Sequence, residues 1–184
     1  MNRKDFFKNV CKYGACGCAG MMFLTPADLI AGDDTPEENK EDWRISFMQH
    51  RMAKLIEDMD GKMDDETLRS FLENMGKQCA KENSERNAKF KGDLDGYLES
   101  MGDWVEKKEH DKAKGIVKIT GSKSESCFCP FVDSSKMPKE FCNCSKGWQM
   151  ETFESIIGKP VDVNIDSSVL WGGDRCSFTI NYPV

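Results

Sequence analysis

Two Cys-x-Cys pairs, Cys127-Phe128-Cys129 and Cys142-Asn143-Cys144, stand twelve residues apart in the sequence. On an extended chain, residues i and i+2 share a face, so each pair would present two sulfurs side by side. All four would converge if the loop 133–140 folds back. Four thiolates suit tetrahedral zinc, and an iron–sulfur cluster can use the same set. The spacing is not that of a zinc knuckle, where two residues separate the cysteines, so disulfides, with no metal, and free buried thiols stay open as readings. A bond inside one Cys-x-Cys would close a strained ring, so any disulfides would join different pairs. Cys79 ends an apolar helical stripe and Cys176 alternates inward with Phe178. Singly each reads as a core cysteine, and together they form a second tier of ligands.

Other catalytic material is sparse. His50 and His110 are the only histidines, both among charged residues, and read as solvated surface groups rather than general bases. Cys79 is a candidate nucleophile, because Lys77 or Lys81 could stabilise its thiolate. No glycine-rich phosphate loop is present; Gly172-Gly173 is short enough to be a hairpin turn. Trp148 and Trp171 could wall an apolar pocket for a small organic ligand, with the core as the alternative place for both. Arg175 could bind a carboxylate there or face solvent.

Those residues must be positioned by 184 residues that are 39% hydrophobic and 32% charged, enough for one domain with a core. The net charge of −6 and the lack of a basic run argue against nucleic acid as a partner, and no stretch of about 18 apolar residues would span a membrane. Residues 1–31 have the order of an export signal: a basic start with Phe6 and Phe7, then a mildly apolar stretch from Tyr13 to Leu24. The segment looks like the twin-arginine type, with Lys4 in the place of the second arginine; an ordinary amphipathic helix is the alternative. Export, with a periplasmic location, is the expectation, and cytoplasmic residence follows if the signal does not act. Removal to about residue 31 would take Cys11, Cys16 and Cys18 and leave an even six cysteines.

Residues 32–184 read as a single α+β domain, N-terminal helices packed on a small antiparallel sheet with one inserted helix. Between Asp33 and Lys114 there are 22 acidic and 15 basic residues, net −7, whereas 115–184 carry 8 and 7. The spacing of Trp43, Phe47, Met52, Leu55, Ile56 and Met59 predicts a first helix, and Asp64 caps a second bearing Leu68, Phe71, Leu72, Met75 and Cys79. A third is expected from about Asp93 through Leu98, Met101, Trp104 and Val105. From Gly115 a Cys-rich sheet half begins, with strands at 116–120, 126–132, 160–165 and 175–180 and a helix from Trp148 to Ile157 closed by Gly158.

Three C-terminal runs resemble the second half of the 4-vinyl-reductase-like domains: Phe141-Cys142-Asn143-Cys144-Ser145-Lys146-Gly147-Trp148; Phe153 with Ile157-Gly158-Lys159-Pro160-Val161; and Ser168 through Phe178. They are also similar to an uncharacterised Cys-rich bacterial set, which Met75 to Ala80 matches too, and to L-2-amino-thiazoline-4-carboxylic acid hydrolase-like proteins. The resemblance implies a small-molecule sensor or accessory domain with an α/β pocket, in which some members bind metal through cysteines. By position, that role would pass to Cys142, Cys144 and Cys176, and more loosely to Cys127 and Cys129. Hydrolysis of a small heterocyclic or amide substrate by a cysteine or metal-bound water is the alternative, although the sequence has no Cys-His arrangement of the hydrolase kind.

Overall fold

A computed structural model describes residues 43–184; the expected export segment and Cys11, Cys16 and Cys18 lie outside the described residues. Helix α1 spans Trp43–Asp60 and α2 spans Asp65–Glu82, followed by the short α3 (Ser84–Ala88) and α4 (Leu94–Ser100). Strands β1 (Val105–Asp111) and β2 (Ile116–Gly121) come next, then α5 (Cys142–Ile157), β3 (Asp162–Ser167) and β4 (Ser177–Asn181). The sheet is antiparallel in the order β1-β2-β4-β3. The α+β class expected from the sequence is the observed one.

Period-two patterning explains how the sheet seats itself. Val117, Ile119, Val163, Phe178 and Ile180 point to one face and meet Phe153 of α5 and Leu98 of α4 in one buried cluster. Lys118, Thr179 and Asn164 take the other face, which is the solvated side of a one-sided sheet. A second cluster joins Ala53 and Ile56 of α1, Leu68 and Leu72 of α2, and Val132, Met137 and Phe141 from the segment before α5. Helix α5 belongs to both: Phe153 faces the sheet, while Gly147 lies against the backbone of Glu73 in α2.

Local signals set several boundaries. The Asp64 carboxylate accepts from the Thr67 N–H at 2.9 Å and from the Thr67 hydroxyl at 2.7 Å, so the expected cap of α2 is the one found. Gly158 closes α5 with φ +74°, a conformation that carries a steric cost for any residue with a Cβ.

Three expected elements differ. The third helix stops at Ser100, and Val105–Asp111 forms β1 instead, pairing with β2. The expected division at 114/115 therefore falls in the β1–β2 turn, and one strand comes from the segment read as helical. Residues 126–132 are bends and turns rather than a strand. The helix expected from Trp148 begins six residues earlier, at Cys142, after a 3-10 turn over Lys139–Phe141.

Candidate functional site

The last difference decides where the sulfurs go. A helix advances about 100° per residue, so Cys142 and Cys144, in the first turn of α5, point to nearly opposite sides. Cys127 and Cys129 sit in an irregular loop whose start is pinned by the Cys127 N–H, which donates to the Ser134 hydroxyl at 3.0 Å. The side-by-side display expected on extended chain is therefore replaced by a division of each pair.

Each half of that division gains one single cysteine. Besides burial, Cys127 and Cys176 act on the Cys142 thiol to raise it, whereas Cys129 and Cys79 do so for Cys144. Cys176 raises Cys127 and Cys79 raises Cys129 in the same way, so by mutual influence the thiols fall into two groups of three, with Cys129 acting on Cys127 between them. The backbone gives the first group its frame. Ser167 pairs with Ser177 across β3–β4, and the Gly121 N–H donates to the Cys176 carbonyl at 2.9 Å. Buried Ser168 follows β3 and lies 2.9 Å from the Cys142 sulfur. The second group lies where α2 crosses α5. A Cβ on Gly76 would run into the Cys144 carbonyl oxygen and stand 2.8 Å from the Trp148 nitrogen, so only glycine permits this approach.

All six are free thiols. Burial pushes Cys142 up to about 11, against which the Ser168 hydroxyl works, and pushes Cys144 up to about 12, with Cys129 and Cys79 adding to it. Burial also raises Cys127 and Cys129. Protonated buried thiols are poor nucleophiles but become thiolates once a cation replaces the proton. Among the described residues, no three His, Cys, Asp or Glu side chains converge on a point that would hold a metal ion, so coordination would require rotation of side chains. Cys79 differs in being exposed at the end of α2, and Lys81 beside it lies 3.8 Å from Glu151.

The residues expected to line a pocket are placed differently from one another. Trp148 is half-buried in α5, while Trp171 is half exposed and its Nε1 donates to the Lys139 carbonyl at 3.2 Å. Arg175 pairs through Nη1 with Glu106 at 2.7 Å and through Nε with Asp174 at 3.1 Å. A depression of about 440 Å³ lies elsewhere, at the β3–β4 end, lined by Pro160, Val161, Asp162, Asn181, Tyr182 and Pro183.

His110 is not the solvated residue expected. It is 11% exposed on β1, with Nδ1 2.8 Å from Asp95 and Nε2 2.6 Å from the Tyr182 hydroxyl. Lys112 and then His110 hold the Asp95 carboxyl below the usual range, so the carboxylate is the acceptor from Nδ1. The three residues stand 15 and 72 positions apart, and no local sequence pattern marks them. Tyr182→Phe leaves Nε2 without its partner and is expected to cost about 1 kcal/mol in urea unfolding. An unchanged midpoint would show that this bond adds nothing.

The family described as "Family of unknown function (DUF6144)" matches residues 25–183. No curated protein matches the chain. Among solved structures, a trafficking protein particle complex subunit 3 from Naegleria fowleri, covalently bound to palmitic acid, aligns with TM-score 0.48 and 13% identity over 78% of this chain and 98% of that one. The phenol-responsive sensory domain of the transcription activator PoxR, with phenol, gives 0.49 and 12% over 73% and 74%. A vinyl-4-reductase family protein from Methanocaldococcus jannaschii gives 0.36 and 16% over 90% and 100%. Likeness at this level fixes neither ligand nor chemistry.

Proposed function

The chain belongs to the DUF6144 family, and on that footing we propose that it is a thiolate metal-binding domain serving a sensor or accessory role for a small organic ligand. The observation that supports this reading is that six free thiols from four separate stretches of chain influence one another in two sets of three, one of them at the α2–α5 crossing. Zinc is the proposed metal, since it accepts thiolates with little demand beyond tetrahedral placement, and an iron–sulfur cluster is the alternative. Cys127, Cys142 and Cys176 form one ligand set, Cys79, Cys129 and Cys144 the other. Three thiolates leave a fourth position to a water, a ligand atom or a sulfur from the other set. The depression beside Tyr182 is the proposed place for the organic ligand. If the domain is instead a hydrolase, exposed Cys79 is the sulfur on which attack would rest.

Metal content measured on protein purified without chelator tests the reading. At least one zinc or iron per chain is expected, with absorbance near 400 nm if the metal is an iron–sulfur cluster, and Cys142→Ser and Cys144→Ser should each lower the content. Metal-free protein would overturn the reading. Fewer than two reactive thiols in it would indicate disulfides.

A further inference from the structure

Helix α1 has an apolar stripe that the other described residues leave largely exposed. Ala53 and Ile56 are buried in the second core cluster, and Met52 and Met59 pack at its edge. Ile45, Met48, Met52, Leu55 and Met59 follow one another in steps of three, four, three and four, the heptad spacing of a helix that packs along another helix. Ile45, Met48 and Leu55 on this seam are 46%, 48% and 52% exposed. The seam thus runs from the edge of the core into solvent.

The charges of α1 say what fits there. Arg44, Arg51 and Lys54 lie in its first two thirds with no acidic residue among them, and Glu57, Asp58 and Asp60 lie in its last turns with no basic one. This polarity opposes the helix dipole, which favours acids at the start and bases at the end. A parallel partner of the same sequence would set like charges side by side. An antiparallel one sets basic half against acidic half twice over, and aligns the two dipoles head to tail.

We propose that α1 is a homodimerisation helix, pairing antiparallel about a two-fold axis with α1 of a second copy of this chain, with Ile45, Met48 and Leu55 in the covered seam. Such an interface is self-complementary and closes at two copies.

Sedimentation of the full chain at neutral pH and low salt tests this. A mass of two chains is expected at concentrations of order 100 μM. Leu55→Glu and Met48→Glu should each weaken the dimer at least tenfold while leaving the circular dichroism unchanged, because both side chains are half exposed. The pairs R44E/R51E and E57R/D58R leave α1 mostly acidic and mostly basic, respectively. Each should dimerise more weakly than the parent, and an equimolar mixture should recover a heterodimer. A parent chain that is monomeric overturns the proposal, whether residues 1–42 or a different protein covers the seam. A dimer indifferent to Leu55→Glu, or charge variants that prefer themselves to each other, would do the same.

Discussion

Replacing Gly76 by alanine is expected to destabilise the domain by about 3 kcal/mol, although helix propensity alone would make the same change favourable by roughly 1 kcal/mol. The sign is decided by the α2–α5 crossing. The added methyl would collide with the Cys144 carbonyl and the Trp148 nitrogen, which are backbone atoms of α5 and cannot swing aside as a flexible side chain can. Gly147 makes the reciprocal approach, where a Cβ would stand 2.6 Å from the Glu73 carbonyl carbon. Lys146 and Glu73 pair at 2.8 Å at the same place and would have to part if the helices separated. Gly147→Ala should therefore cost a similar amount, and the double substitution less than the sum, since the first already opens the crossing. Urea unfolding of the three variants gives these quantities directly. Cys144 lies under this contact, so if the proposed metal is bound, both variants should also hold less of it. Wild-type stability in Gly76→Ala would mean that the two helices do not pack as closely as described.

What the sequence revealed and what it hid follow one division. Signals that act within a turn or two were legible: the Asp64 cap, the Gly158 stop, and the alternation of Val161, Val163 and Ile165 that builds β3. Strand β1 was not, because Glu106, Lys107, Lys108, Glu109 and Asp111 make it look like solvated helix. Its place explains its composition: among the described residues it pairs only with β2, and charge on an exposed edge discourages further strands from adding. The cysteine pairs were legible as a candidate locus of chemistry only by type and spacing, and their conformation was misread. The 3-10 turn over Lys139–Phe141 runs straight into α5, and Asn143 donates to the Glu140 carbonyl at 2.9 Å across that junction, so Cys142 and Cys144 begin a helix. Helical periodicity then splits a pair that a strand would have kept together. That Cys79 and Cys176 should each complete one half depends on contacts between residues far apart in the chain, as does the bonding of His110 to Tyr182.

Metal-free protein is expected to lose stability as pH rises from about 9 towards 12, and metal-loaded protein to lose much less over the same range. The ordinary thiol value here is 9.0, whereas Cys142 and Cys144 are pushed up to about 11 and about 12 in the fold, first of all by burial. Above pH 9 the unfolded chain therefore holds fewer protons than the folded one, so stability falls with pH. Below pH 9 both states hold their protons and the contribution is fully present. Two shifts of this size correspond to several kcal/mol, which partial solvent access and the mutual influence of the thiols reduce to about 3 kcal/mol. Bound zinc changes the starting state: ligating thiols are already deprotonated in the fold, so raising the pH takes no proton from them. Thermal unfolding at pH 9, 10 and 11, where the unfolded thiols are increasingly ionised, should give a falling series with chelator and a nearly level one after zinc loading. The same chemistry predicts that adding zinc at pH 7.5 releases about one proton for each thiol that becomes a ligand, a quantity read with a pH indicator. Equal alkaline loss in both series, together with no proton release, would mean that the six thiols are core residues and that the metal reading fails.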